Sequence, residues 1–112
     1  MSQKNIIEVI IPAAGIGKRF RSSDLKQYNL IGHETVLEKI VNLFLSMSEI
    51  QKVYISIDPK DNQINSQSFI NNSKVIITPG GPTRSHSVNN ALSKINVKEV
   101  DYIVIHAIYN QD

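Results

Sequence analysis

Residues 6–20 read Ile6-Ile7-Glu8-Val9-Ile10-Ile11-Pro12-Ala13-Ala14-Gly15-Ile16-Gly17-Lys18-Arg19-Phe20, and the change of character halfway along decides the fold. Ile6 to Ile11 is a nearly continuous apolar run rich in β-branched residues, the pattern of a buried strand. It ends in a proline, two alanines and two glycines spaced two apart. Glycines at that spacing let the backbone turn tightly and aim its N–H groups at one concave spot, and the small alanines leave room for a ligand. Lys18 and Arg19 bring positive charge to the same place, a combination that suits a phosphate chain. A P-loop is excluded, because it needs Gly where Pro12 stands and Ser or Thr where Arg19 stands. The dinucleotide fingerprint is excluded too, because Phe20 occupies its third small-residue position. A bare G-x-G reads equally well as a tight strand-exit turn; the longer string, with Lys26-Gln27-Tyr28 seven residues after Arg19, is far more specific.

Working outward, the period changes after His33. Thr35 and Glu38 form a capping box, and Val36, Ile40, Phe44 and Met47 follow at helical spacing. Val53 to Ile57 predicts a second strand closed by Asp58-Pro59. Residues 58 to 73 are polar, with Ile64, Phe69 and Ile70 available for burial, and read as a surface segment holding at most a short helix. Val75 to Ile77 predicts a third strand ending in Pro79-Gly80-Gly81. A second helix is expected from about Thr83 to Ile95, with Val88, Ala91, Leu92 and Ile95 on one face. Tyr102 to Ile105 predicts a fourth strand. Strands alternating with helices imply right-handed crossovers and a mostly parallel sheet, a Rossmann-like α/β domain. Such sheets bind ligands at the carboxyl ends of their strands, so the loops after Ile11, Ile77 and Ile105 are the candidate site.

The bulk properties narrow the function. At 112 residues the chain is one domain, with a 41% hydrophobic and 20% charged composition that suits a globular protein. Zero cysteines exclude disulfides, thiolate nucleophiles and zinc-thiolate sites and make a reducing compartment the simplest home. There is no apolar run of about 18 residues, and the N-terminus lacks a small-residue cleavage site, which argues against a secretory signal. A net charge of +2 is too balanced to indicate a nucleic-acid partner.

The string P-A-A-G-x-G-x-R, then K-Q-Y, then T-x-L-E opening a helix, resembles the signature of the methylerythritol-phosphate cytidylyltransferases. The resemblance runs from about Ile6 to His106 and covers about half of that family's length. It implies a Rossmann-like nucleotidyltransferase domain in which the glycine-rich loop, with Ala13, Ala14, Gly15 and Gly17, wraps the triphosphate of CTP. Arg19 and Lys26 then flank the α-phosphate as the catalytic cations; Leu25 stands where the family usually has proline. The second loop, Gly80-Gly81-Pro82-Thr83-Arg84-Ser85-His86-Ser87-Val88, resembles the family's G-G-x-x-R-x-x-S-V. By that resemblance Gly80, Gly81 and Ser87 bind the cytosine and ribose. Pro82 replaces an often acidic residue and has no N–H to offer. His33 and His86 read as structural.

The implied activity is transfer of CMP from CTP to 2-C-methyl-D-erythritol 4-phosphate, with release of pyrophosphate. Alternatives are a ribitol 5-phosphate acceptor, or a non-catalytic CTP-binding fragment. The family implies Mg²⁺, a cytoplasmic location, a sugar-alcohol phosphate partner, a homodimer, and no membrane or nucleic-acid role. At the family's H-D-A-A-R-P the chain reads His106-Ala107-Ile108-Tyr109-Asn110-Gln111-Asp112, so the metal aspartate is Ala107 and no metal ligand is assigned. That divergence reads as a truncated or frameshifted product, residues 1–112 being the nucleotide-binding part of one domain without its C-terminal half or dimerisation arm. An exposed sheet edge and self-association are the expected consequences.

Overall fold

The structure, a computed structural model, describes residues 5–14 and 26–108, and for Lys26 the backbone alone. Gly15, Gly17 and Arg19 therefore lie outside the described residues. The run that reads as a buried strand is β1, Ile7–Pro12. Val9, Ile10 and Ile11 have no exposure at all, because β1 has a strand on each side and packed side chains on both faces.

Two short strands follow, β2 (Leu30–Ile31) and β3 (Glu34–Thr35), paired antiparallel as a hairpin across Gly32-His33. The sequence pattern predicts no strand over these residues. Gly32 takes φ +67° while His33 stays in the negative region, which is the pattern of a type II′ hairpin turn. Two-residue strands carry no readable alternation, so the hairpin was invisible to periodicity.

Helix α1, Val36–Leu45, begins at Thr35 with the capping box that the sequence indicates. Thr35 Oγ1 accepts from the Glu38 N–H at 3.0 Å, and Glu38 Oε1 accepts from the Thr35 N–H at 2.9 Å. The same two residues dock the polar 58–73 segment. Thr35 Oγ1 donates to Gln67 Oε1 at 2.6 Å, and Glu38 Oε2 accepts the Ser68 N–H at 2.7 Å. Those bonds hold the Glu38 carboxyl below its ordinary range. The segment is a surface stretch with one short 3₁₀ turn, Gln63–Ser66, as expected, and Ile64 and Phe69 are its buried anchors.

The remaining elements are β4 (Ile50–Ile57), β5 (Val75–Pro79), α2 (Arg84–Leu92) and β6 (Tyr102–Ile105). α2 stops three residues short of the expected Ile95. From Ser93 the chain tightens to i→i−3 bonds, Lys94 N–H to Ala91 and Ile95 N–H to Leu92, while Ser93 Oγ caps the Asn90 carbonyl. Ile95 is buried nonetheless.

The four long strands form one parallel sheet in the order β5-β4-β1-β6. α1 and the 58–73 segment cover one face, through Leu37, Val41, Ile64 and Phe69 against Val9, Ile11, Val53 and Ile55. α2 covers the other, with Val88, Ala91 and Ile95 against Ile10 and Tyr54. Counting only the sheet's strands, the order is third, second, first, fourth. The winding reverses at β1, and a crevice at the carboxyl ends of the strands is the expected ligand position. Among the described residues no helix is long and apolar enough to cross a membrane.

Candidate nucleotide site

The first and second loops meet at this carboxyl end. β1 ends in Ala13 and Ala14, both buried, and the Ala13 N–H donates to the Ser56 carbonyl at 2.8 Å. β5 ends in Pro79, and the next N–H, that of Gly80, donates to the Ile57 carbonyl at 2.8 Å. Adjacent carbonyls of β4 therefore anchor both loops. They are in contact: a Cβ built on Gly80 would stand 2.0 Å from the Ala14 Cβ. Only glycine permits that approach, since real carbon atoms touch at about 3.5–4.0 Å.

The second loop is braced from within. Gly81 donates its N–H to Ser87 Oγ at 3.0 Å, and a Cβ on Gly81 would stand 2.4 Å from the His86 Cβ. Ser87 has no exposure, so its hydroxyl is already engaged in shaping the loop that the sequence assigned to the base and ribose. Thr83 caps α2, accepting from the His86 N–H at 3.2 Å and bonding His86 Nδ1 at 2.7 Å. His86, which has no evident partner in the sequence, is thus part of the helix cap. Asn90 reaches back from α2 to the Pro79 carbonyl at 2.9 Å.

Beneath the loop lies a closed set of hydroxyls that the sequence reading did not single out. Ser56 Oγ donates to the Ser87 carbonyl at 2.8 Å and lies 2.9 Å from Thr78 Oγ1. A hydroxyl has one proton. The Ser56 proton is committed to Ser87, so Thr78 is the donor in the Ser56–Thr78 pair. Both residues are essentially unexposed. The available signal was a Ser and a Thr interrupting two apolar strands at positions that pair in the sheet, Ser56 with Thr78.

The K-Q-Y segment joins the same end. Lys26–Tyr28 is a single 3₁₀ turn. Gln27, 2% exposed, donates its side-chain amide to the Ala13 carbonyl at 3.1 Å. Tyr28 donates its hydroxyl to Asp61 Oδ2 at 2.6 Å. Burial first, and the Asp61 carboxylate second, push the Tyr28 phenol well above its ordinary range. The structure thus brings the backbones of position 26, Ala13–Ala14 and Gly80–Gly81 to one end of the sheet.

The third loop follows β6. His106 N–H donates to the Ile10 carbonyl at 2.9 Å, and its ring meets Phe44 edge-on with centroids 5.6 Å apart. Ala107, which the resemblance aligns with an aspartate, carries only a methyl group. Among the described residues no group of three or more His, Cys, Asp or Glu could hold a metal ion. Mg²⁺ on a nucleotide calls for one or two carboxylates beside phosphate oxygens, and His106, Ala107 and Ile108 supply none.

A parallel sheet in this strand order, with two glycine-bearing loops in contact at its carboxyl end, is that of an α/β nucleotidyltransferase fold. A crystal structure of 4-diphosphocytidyl-2C-methyl-D-erythritol synthase superposes with a TM-score of 0.73 at 28% identity, covering 95% of this chain and 47% of that one. The 2-C-methyl-D-erythritol 4-phosphate cytidylyltransferase of Francisella tularensis gives 0.71 at 31% identity, covering 92% and 44%. In sequence, the enzyme of that name from Wigglesworthia glossinidia brevipalpis is 40% identical over 100 residues, spanning 89% of this chain and 43% of the relative. The one from Buchnera aphidicola subsp. Acyrthosiphon pisum is 37% identical, spanning 89% and 41%. The family model for 2-C-methyl-D-erythritol 4-phosphate cytidylyltransferase matches residues 7–108. The chain belongs to this family, and it spans less than half the length of these relatives.

Proposed function

We propose that this chain supplies the CTP-holding part of a cytidylyltransferase that transfers CMP to 2-C-methyl-D-erythritol 4-phosphate and releases pyrophosphate. The observation that supports the reading is the contact of Gly80 with Ala14, which brings the proposed triphosphate loop and the proposed nucleoside loop together. In that reaction an oxygen of the acceptor phosphate attacks the α-phosphorus of CTP in line, and the bond to the β-phosphate oxygen breaks. Charge grows on the equatorial oxygens and on the departing pyrophosphate. Preplaced cations and backbone N–H groups stabilise it without covalent chemistry. Arg19 and Lys26 are the proposed cations, and Ala13, Ala14, Gly15 and Gly17 form the proposed triphosphate cradle. Gly80 and Gly81 are the proposed nucleoside contacts, and Ser87, unexposed and accepting the Gly81 N–H, is proposed to serve that contact by holding their loop. Because Pro82 has no N–H, any base contact there must use its carbonyl.

The names of the relatives favour methylerythritol phosphate over ribitol 5-phosphate as the acceptor. A cytoplasmic location, and a homodimer in the full-length family, belong to the same proposal. A second reading is a CTP-binding polypeptide that does not turn over. Ala107, in place of an aspartate in the family's pattern, favours it, and we expect no turnover by the 112-residue chain. Calorimetric titration with CTP, with and without Mg²⁺ and with ATP and UTP as controls, tests the common core of both readings. Selective CTP binding supports them, and binding of no nucleotide refutes both. Pyrophosphate release on adding methylerythritol phosphate would refute the second.

A further inference from the structure

We propose that Gln27 and Tyr28 are positioning residues: they fix the Lys26–Tyr28 turn between the end of β1 and the turn after β4, and so set where position 26 stands relative to the triphosphate. This rests on the CTP site proposed above. In the K-Q-Y string the lysine carries the charge, and Gln27 and Tyr28 each bond a distant part of the chain.

Gln27 is almost completely buried, a position at which an apolar side chain would cost nothing in desolvation. Its amide is retained against a specific partner, the Ala13 carbonyl. That carbonyl stands just past the last residue of β1, and among the described residues Gln27 is the donor that satisfies it. Gln27 thus ties the turn directly to the first loop. Tyr28 ties it to a second point. Its bond to the Asp61 carboxylate is short and charge-assisted. Asp61 is itself held: Oδ1 accepts the Gln63 N–H at 2.8 Å, and its own N–H bonds the Asp58 carbonyl at 2.8 Å. The phenol stays protonated, and so remains a donor, throughout the physiological range. On the other side, the Asn29 carbonyl accepts the Val36 N–H at 2.9 Å, which attaches the turn to the start of α1. Residues 26–29 are therefore anchored at three places, two of them by side chains of the motif itself.

The test uses Gln27→Met, Tyr28→Phe and the double variant, none of which changes side-chain bulk much. CTP and cytidine affinities are measured by titration, and amide hydrogen exchange is followed at residues 13, 14 and 26–31. The nucleoside engages the second loop alone in the proposed site, whereas CTP also needs the turn and the first loop. Each single variant is expected to weaken CTP binding about fivefold to tenfold, to leave cytidine within about twofold, and to accelerate exchange locally. Equal losses for CTP and cytidine would mean a merely structural role and overturn the proposal, as would unchanged CTP affinity. If the wild-type chain binds neither ligand, the CTP reading itself fails. The anchoring is then judged on exchange, where unchanged protection overturns it and local loss supports it.

Discussion

Gly80→Ala is the most incisive single perturbation of this structure. The added methyl would lie 2.0 Å from the Ala14 Cβ, and 3.3 Å from both the Ile57 carbonyl carbon and Ser87 Oγ. The φ of Gly80 is not in the left-handed region, so alanine suits the local backbone and the penalty is one of space. Restoring a normal carbon–carbon distance requires the two loops to separate by roughly 1.5–2 Å. Neither loop is free to retreat. Gly80 is bonded to the Ile57 carbonyl and Ala13 to the Ser56 carbonyl, so the separation breaks or stretches at least one buried hydrogen bond. Overpacking together with such a loss gives about 2–4 kcal/mol. At about 4 °C per kcal/mol for a domain of this size, the melting temperature falls by roughly 8–16 °C. The decisive assay is a double-mutant cycle by thermal and urea unfolding. Ala14→Gly removes the facing methyl, costs about 1 kcal/mol alone, and in combination with Gly80→Ala should recover a coupling energy of about 1–3 kcal/mol. A Gly80→Ala variant within about 0.5 kcal/mol of wild type, or one that Ala14→Gly does nothing to rescue, would refute the reasoning.

Three further outcomes are expected. Ser56→Ala removes the side-chain donor from the Ser87 carbonyl, leaving that carbonyl to the α2 ladder alone, and leaves the Thr78 hydroxyl without its acceptor. Urea unfolding should show a loss of about 1–3 kcal/mol, reduced by adding Thr78→Val, because removing both hydroxyls spares the orphaned one. The Glu38 carboxyl titrates below its ordinary value of 4.5 in the folded chain, so its contribution is complete above that pH and is lost as pH falls through the lowered folded value. The acid limb of the wild-type stability curve should accordingly be steeper than that of Glu38→Gln; identical slopes would contradict the bonding described for α1. Finally, among the described residues β6 is the last strand at one side of the sheet, with Tyr102 58%, Val104 37% and Ile105 50% exposed. Sedimentation velocity should show concentration-dependent association, diminished by Ile105→Lys. A monodisperse monomer at high concentration would contradict it.

Much of the fold was legible because its signals are local. The unbroken apolar run of β1 implied burial on both faces, and the Thr35–Glu38 spacing marked the start of α1. Alternating strands and helices implied a parallel sheet. The limit of α2 was less legible, since the tightening after Leu92 depends on a Ser93 side-chain bond that periodicity does not see. The β2–β3 hairpin was too short to announce itself.

By itself, the sequence determined the class of chain, the three loops worth inspecting and the family to which they belong. Residue type and spacing suffice there, since glycines, cations and strand ends act through the backbone near them. Tertiary structure alone decided how those loops meet. Gly80 lies against Ala14, Gln27 holds Ala13, Asp61 holds Tyr28, and Ser56 links β4 to Thr78 and Ser87. Each of these contacts joins residues far apart in the chain. Whether a buried polar group or a glycine is needed depends on which atoms the fold brings within a few ångströms of it, and no one-dimensional pattern carries that information.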